Sequence, residues 1–507
     1  MSASPIHARF RQAAGRSPGK TAVIIGDVTR TYAALACEVD ALAGGLLAAG
    51  VQPGDHVGVL LPNCLEFVHL LLAAAGIGAV LVPMPLSSTA GAIRKAFHTA
   101  RVRHAVCWHA TPEAQAAVQE LSGLRLAIGG PVPGWQSLND LVDRDLPALA
   151  LPDLPPRTPY LILLTSGSTG APKPIQLSQE TKLARARSAI GLYGLGEDDV
   201  VLAATPMHHS LAQRLTLIPL LTGGTSVILD RYTPTAWLDT AERHGVSFTM
   251  AVSSQLKQII PLLDTRPAPS RLRCLVSSSA TLAPETKAAL FARTTCAFHE
   301  IYGASEVAST TDLSVRAHPD KMQSVGTPIQ DVEVAILGQD GQLQPPGQPG
   351  EIICRTPLAF DGYFDQPEAT AAALWQGYFR TGDLGAMDAD GFLYFLGRIK
   401  DIVIVGGINV YPRDIEEVAE AFPGVAEAAA IAVDDPQLGE TVGLVIAPAD
   451  AGQSINQRSL LRHCASQLND AQMPRHIFLV DRLPRNEMGK IDKPALRNRL
   501  SRPGHDS

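Results

Sequence analysis

Through its first four hundred residues this chain alternates two textures. Ala/Leu-rich stretches with helical spacing, at Tyr32–Ala49, Leu65–Ala75 and Ala90–Thr99, are separated by short apolar or β-branched runs at His56–Leu61, Ala79–Val82 and Tyr160–Thr165. Such alternation builds parallel sheets covered by helices, because a connection between parallel strands must cross the sheet face and a helix does so while burying its own apolar side. Val200–Ala203, Thr225–Leu229, Cys274–Ser277, Val332–Leu337 and Glu351–Arg355 continue the strand series, and the Pro-rich run Leu151–Pro159 reads as a connector. Near residue 400 the texture changes. Short strands at Asp401–Val405, Val425–Val433, Val442–Ala447 and His476–Asp481, with helices at Pro412–Ala421 and Gln457–Leu468, describe a compact α+β module of ordinary domain size. The expected fold is α/β: a large N-terminal domain of packed α/β subdomains with mixed sheets over residues 1–399, and a small C-terminal α+β domain over 400–507.

Composition narrows the partners. Apolar residues make up 46% of the 507 and charged residues 18%, enough for a large core and too apolar for disorder. Forty-two basic against 49 acidic side chains leave a net charge of -7, so no basic excess points to nucleic acid or to an anionic membrane. The seven cysteines are an odd number without a CxxC pair, which suits reduced thiols in the cytoplasm. The start, MSASPIHARFRQAAGR, has no apolar core of a secretory signal. The longest apolar stretch, Leu70–Val82, holds two glycines and falls short of the roughly 20 residues that span a bilayer. It reads as a core helix, a break at Gly76–Gly78, and a buried strand.

The sharpest local feature is Thr165–Pro174, TSGSTGAPKP, directly after an apolar strand. Gly167 and Gly170 allow close backbone approach to a ligand, and successive N–H groups in such a turn make a nest for anions. The hydroxyls of Thr165, Ser166, Ser168 and Thr169 add donors, and Lys173 adds a cation; together they suit a polyphosphate. A Walker loop needs a lysine directly after its last glycine and a Ser or Thr after that. Here Ala171 and Pro172 intervene and Pro174 follows. A flexible surface loop is the plain alternative, against which stand the strand before it and the PKP after it.

TSGSTGAPK resembles the phosphate loop of the adenylate-forming superfamily, which contains acyl-CoA synthetases, peptide-synthetase adenylation domains and beetle luciferases. Four more motifs follow in that family's order. Tyr302–Glu306 reads YGASE, Thr381–Asp383 reads TGD, and Gly397–Asp401 reads GRIKD, with GGINVYPRDIEE from Gly406 to Glu417. Pro484–Lys493 reads PRNEMGKIDK.

The resemblance implies roles. Thr165, Ser166, Gly167, Ser168, Thr169, Gly170 and Lys173 would hold the ATP β- and γ-phosphates. Glu306 and Thr165 would bind Mg²⁺, a hard cation that prefers carboxylate and phosphate oxygens. Tyr302 would lie against adenine, Ser305 would bond the α-phosphate, and Asp383 and Arg398 would bind the ribose. Lys490 would stabilise charge at the reacting phosphorus and the substrate carboxylate. The family rotates its C-terminal domain between two half-reactions about a hinge residue, which by position is Lys400, so that the Gly406–Gly407 segment then faces the thiol channel.

His209, in TPMHHSLAQRL, matches a family histidine beside the acyl pocket, and Ala304 and Ser279 are expected to line that pocket. Amino-acid-activating members place an aspartate in the His209 segment to pair the substrate's ammonium. No acid occurs between Thr205 and Leu215, so the substrate is expected to lack a free α-amino group. The small Ala304 suggests an aliphatic or aryl acid of moderate size. The expected activity is ATP-dependent activation of a small-molecule carboxylic acid to an acyl-adenylate, then transfer to the thiol of coenzyme A. The alternative acceptor is the phosphopantetheine of a carrier protein, and a third reading is a non-catalytic nucleotide-binding paralogue. A homodimer is compatible with either enzyme. Three departures stand out: Pro174 and Ser305 replace the family's usual Gly and Thr, and Ser277–Leu282, SSSATL, stands where the family often has SGGAPL.

Overall fold

Two sheets organise the chain as far as Pro328. The computed structural model describes residues 6–142, 151–165, 173–449, 455–485 and 491–500. One sheet has seven strands, in the order Gln136–Ser137, Arg125–Ile128, His104–Trp108, His56–Leu60, Val80–Pro83, Pro159–Thr165 and Lys173–Ser178. All its pairs are parallel except the last. The other has nine: Thr327–Pro328, Ala308–Ser314, Ala297–Ala304, Cys274–Ser278, Phe248–Val252, Val200–Ala203, Thr225–Ile228, Thr21–Ile25 and Val28–Thr31. Its interior is parallel and its margins antiparallel.

The two sheets share a core. Val57, Val59 and Leu161 from one and Val201, Ala203 and Ile228 from the other belong to one buried cluster with helices Leu65–Ile77 and Ser210–Thr222. Apart from Glu66 and His69, whose ring bonds Glu38 at 2.9 Å, Leu65–Ile77 is apolar, and it is buried from Phe67 to Ile77. It runs through Gly76 and stops only at Gly78, whose left-handed φ of 75° caps it. Several polar groups that enter this core are bonded, although the Thr216 and Ser226 hydroxyls are buried without a hydrogen-bond partner among the described residues. Tyr160 Oη donates to Leu71 O at 2.7 Å, and Gln179 joins Ala75 O at 2.8 Å to Ile6 N at 2.9 Å.

An antiparallel third sheet follows: Glu333–Leu337, Gly350–Arg355, Tyr378–Met387 and Leu374–Trp375, with Leu393–Arg398 paired to Tyr378–Met387. The fourth sheet is the small C-terminal one: Ile408–Val410, Val403–Val405, Gly439–Pro448 and Val425–Asp435, with His476–Leu479 alongside, covered by helices Pro412–Glu420 and Gln457–Ala465. The architecture is the mixed α/β one that the sequence predicts, with a large N-terminal and a small C-terminal part. Boundaries shift by a residue or two, most tellingly at the start of the small sheet. Ile399–Asp401 is a 3₁₀ turn and the strand begins at Val403, because the chain leaves one sheet at Arg398 and must turn before entering the next. Among the described residues no helix is long and apolar enough to cross a membrane.

Candidate active site

Strands Pro159–Thr165 and Lys173–Ser178 form an antiparallel hairpin with Thr165 opposite Lys173. The chain thus returns from the Gly/Ser-rich loop as a strand, whereas a Walker loop opens a helix. Ser166, Gly167, Ser168, Thr169 and Gly170 lie outside the described residues. Lys173 Nζ stands 5.0 Å from the centroid of the Tyr363 ring, and Tyr363 Oη donates to Glu306 Oε1 at 3.0 Å. Tyr363 therefore joins the loop cation to the expected metal carboxylate, a link that no motif signals. It is held there by pairing of its segment along Lys173–Ser178: Gln176 N donates to Gly362 O at 2.9 Å, and Phe364 N to Pro174 O at 2.8 Å. Pro174 acts here through its carbonyl, so the missing N–H at this departure removes none of these bonds.

Glu306 sits in the turn between strands Ala297–Ala304 and Ala308–Ser314. The turn is tight: a Cβ on Gly303 would lie 1.8 Å from Ala308 O, so only glycine fits there. Arg185 clamps the turn from below. Its Nη1 and Nη2 donate to the carbonyls of Ser305 (3.0 Å) and Glu306 (2.9 Å), and its Nε to Leu358 O (2.9 Å). Ser305 is exposed and Glu306 half-buried. Glu306 Oε2 has no hydrogen-bond partner among the described residues, so the carboxylate keeps an oxygen to offer a hard cation.

Tyr302 begins the same motif and points to the third sheet. Its hydroxyl donates to Asp383 Oδ2 at 2.7 Å, and Arg398 Nε lies 2.8 Å from Asp383 Oδ1. Asp383 and Arg398 face each other across paired strands, and the Asp383 side chain is 2% exposed. Burial, and then the Asp383 charge, push the Tyr302 phenol well above its ordinary value, so it remains a donor. The TGD, GRIKD and YGASE motifs thus meet in one cluster, joined by the Tyr302–Asp383 hydrogen bond and the Asp383–Arg398 ion pair.

On the expected acyl side, His209 caps helix Ser210–Thr222, and its ring lies 4.0 Å from that of His208. Asn63 fixes the preceding segment, accepting from Met207 N at 2.7 Å and donating to Thr205 O and Leu229 O. Burial, and then His209, lower His208 to about 3, which keeps it neutral. Ala304 pairs with Ala308. Ser279 has a left-handed φ of 75°, where the family's usual residue is glycine. Leu282 N donates to Glu300 Oε1 at 2.6 Å, and the buried Glu300 is ion-paired to the buried Lys287.

Lys490 lies outside the described residues. Lys400 is exposed in the 3₁₀ turn. Gly406 and Gly407, with φ of 56° and 86°, form the two-residue turn of the Val403–Val405/Ile408–Val410 hairpin, which by itself demands positive φ. Among the described residues no three His, Cys, Asp or Glu side chains cluster as metal ligands, so Glu306 stands as a single carboxylate.

Residues 10–364 match the AMP-binding enzyme family, and residues 414–490 match the AMP-binding enzyme C-terminal domain. The chain is 35% identical to a feruloyl-CoA synthase of Amycolatopsis sp over 96% of both chains. It is 33% identical to a sulfoacetate–CoA ligase of Cupriavidus necator over 92% of both. The crystal structure of ATP-bound MatB from Rhodopseudomonas palustris superposes with a TM-score of 0.89 at 29% identity, covering 98% of each chain. Family match and fold agree with the five ordered motifs: the chain belongs to the AMP-binding enzyme family of the adenylate-forming superfamily and is an acid–thiol ligase, which activates a carboxylic acid with ATP and transfers it to coenzyme A.

Proposed function

We propose that the Tyr302–Glu306 turn is the centre of the reaction, with nucleotide on its Asp383 side and acid on its Ala304 side. The observation that carries this is the meeting at one turn of two separate links, Tyr302–Asp383–Arg398 and Glu306–Tyr363–Lys173. A carboxylate cannot be attacked by a thiol with loss of oxide, so its oxygen first attacks the α-phosphate and pyrophosphate leaves. Lys173 and the residue 165–170 loop hold the leaving phosphates; Ser305 donates to the α-phosphate. Tyr302 lies against adenine, and Asp383, a carboxylate with several acceptor sites, accepts from the ribose hydroxyls. Glu306 would hold Mg²⁺, which when bound neutralises phosphate charge. Lys490 adds a cation where negative charge grows. The thiol then attacks the acyl carbon and AMP departs.

The two steps need different surroundings of one carbon. Residues 400–507 act as the mobile part, turning about Lys400 to withdraw Lys490 and bring Gly406–Gly407 to the thiol path. The substrate lacks a free α-amino group, and the enzyme works in the cytoplasm. The named relatives act on an aryl acid and on a sulfonate-bearing acid, so family membership leaves the acid's side chain open. The test is Lys490→Ala assayed on each half-reaction. Acid-dependent pyrophosphate exchange is expected to vanish while thioester formation from preformed acyl-adenylate persists. Equal loss of both would falsify the two-conformation scheme. Coenzyme A and a holo carrier protein offered side by side identify the acceptor.

A further inference from the structure

The Tyr302–Glu306 turn is held from behind by a residue that no motif contains. Arg185 lies on helix Gln179–Tyr193, is 3% exposed, and stands 120 and 121 residues before the two turn residues it bonds. Its three bonds reach two parts of the site. Nη1 and Nη2 donate to the carbonyls of Ser305 and Glu306 in the turn, and Nε donates to Leu358 O, just before Phe360. Phe360 N itself donates to Glu306 O at 2.6 Å, and Tyr363 Oη donates to Glu306 Oε1. Arg185 thus fastens both ends of the Glu306–Tyr363 bond: the turn that carries the carboxylate and the segment that carries the phenol.

The frame closes on itself. Asp361, between Phe360 and Tyr363, accepts from Ser178 N at 2.6 Å and from Thr181 Oγ1 at 2.9 Å, at the start of the helix that carries Arg185. The circuit therefore runs from the helix through Arg185 to the turn, from Glu306 to the Tyr363 segment, and through Asp361 back to the helix. Neighbouring basic residues brace it further: Lys182 donates to Gln213 Oε1 at 3.3 Å, and Arg214, on helix Ser210–Thr222, to Ser309 Oγ at 3.2 Å. A carboxylate set in such a closed circuit has its place fixed before any ligand arrives, which is what orienting a metal and a phosphate requires.

A guanidinium suits this task better than an ammonium would. Its planar fork sends N–H groups in several fixed directions, so three nitrogens meet three carbonyls at once, whereas a lysine donates from a single point. Burial, and then Arg214, lower Arg185 to about 9, while Glu306 and Asp361 act against that lowering, so the side chain stays charged at neutral pH.

We propose that Arg185 is a positioning residue for adenylate formation: by gripping the Ser305 and Glu306 carbonyls, it sets where the Ser305 hydroxyl meets the α-phosphate and where the Glu306 carboxylate holds Mg²⁺. This rests on the reading that the turn is the centre of the reaction. Arg185 acts through the turn and not on the substrate.

The test compares the two half-reactions in Arg185→Met and Arg185→Lys. In Arg185→Met, kcat for acid-dependent pyrophosphate exchange is expected to fall about 10²-fold with the KM for the acid little changed, because the reacting groups are misplaced rather than lost. Thioester formation from preformed acyl-adenylate, from which pyrophosphate has already gone, is expected to stay within about threefold of native. Arg185→Lys keeps the charge without the fork and should fall between the two. A readout apart from turnover is the Mg²⁺ concentration needed for ATP to raise the melting temperature, expected to increase about tenfold or more in Arg185→Met, as for other residues that orient a metal ligand. Arg273→Met is the structural control: Arg273 ties the far end of the same helix through Tyr193 O and Gly194 O, both at 3.0 Å, and its loss should cost stability while both readouts stay native. Should Arg185→Met fail to fold, Arg185→Lys carries the same two readouts. Arg185 variants that lose stability but keep the native ratio of half-reactions and the native Mg²⁺ requirement, or that slow both half-reactions alike, overturn the positioning role and leave the reaction centre intact. A native protein that shows no acid-dependent exchange overturns the reading on which it rests.

Discussion

Two polar clusters flank the same turn, and they are built on opposite plans. On the nucleotide side Asp383 is buried with both oxygens engaged, one by Tyr302 and one by Arg398, so cation and anion are balanced within the protein. On the other side Lys182, Arg185 and Arg214 meet with no carboxylate ion-paired to them among the described residues, and Glu306 and Asp361 act on Arg185 from a greater distance. Tyr302 reaches the first cluster with its side chain; Ser305 and Glu306 meet the second through their carbonyls. A balanced cluster is complete before ligand arrives and mainly fixes geometry. An unbalanced one resists charging, and its basic groups are met by neutral amide, carbonyl and hydroxyl oxygens. The difference teaches that the two sides of the turn answer burial in different ways, one by pairing charge and the other by resisting it.

The largest expected effect lies at the balanced cluster. Asp383→Ala removes the anion that joins them, leaving the Tyr302 hydroxyl buried without that acceptor and Arg398 without that carboxylate. Arg398 is 42% exposed and can turn to water, so the loss falls short of that for a fully buried pair, at about 2–3 kcal/mol. Denaturant unfolding measures it, and the KM for ATP is expected to rise in parallel. A stability change within about 0.5 kcal/mol, the range of ordinary surface substitutions, would break the contrast from this side.

Lys182→Met is the converse. Replacing a buried amine that the fold resists charging by an apolar chain of similar length is expected to stabilise, by about 1–2 kcal/mol at neutral pH. The pH dependence carries the sign. With the folded-state value of Lys182 lowered well below 10.5, the unfolded chain binds a proton that the native protein refuses. Native stability therefore rises with pH from that lowered value up to about 10.5, while below it the penalty is full and constant. Lys182→Met is expected to flatten that rise. A destabilised variant would mean that Lys182 serves the fold through Gln213, and the clusters would no longer differ in kind.

The same contrast explains how legible the chain is. Val200–Ala203 and Ala90–Thr99 have the bounds that their patterns predict, because apolar spacing and burial coincide there. Helix Gln179–Tyr193 announces no interior face: its buried residues include Gln179, Thr181, Lys182 and Arg185, so the apolar period is broken where the cations enter the core. Helix Ser210–Thr222 carries Pro219 inside it, a residue that reads as a stop. The motifs yield Tyr302, Asp383, Arg398, Glu306 and Lys173 but miss Tyr363, which lies 57 residues from Glu306 and is joined to it only by the pairing of its segment with Lys173–Ser178. A site cluster is thus readable where it falls within a motif and hidden where the topology assembles it.

The smallest predicted effect belongs to the third side of the turn, where the loop ending at Leu282 is tied to Glu300 and the Glu300 charge is answered by Lys287. Charge is balanced there, so what remains is backbone strain. Ser279 holds φ at 75°, a conformation that costs an ordinary L-residue roughly 1–2 kcal/mol. Ser279→Gly relieves that strain but frees the unfolded chain by about 0.5–1 kcal/mol, so the net gain is expected near 0.5–1 kcal/mol. Unfolding of Ser279→Gly beside Lys182→Met then separates the two kinds of cost. The glycine variant should gain stability equally at all pH values, since no proton is involved. The Lys182 variant should gain most at neutral pH and least near 10.5. A pH-dependent gain in the glycine variant would show that the Ser279 loop and the cation cluster are coupled through the turn they both border, and the balanced and unbalanced sides would have to be treated as one unit.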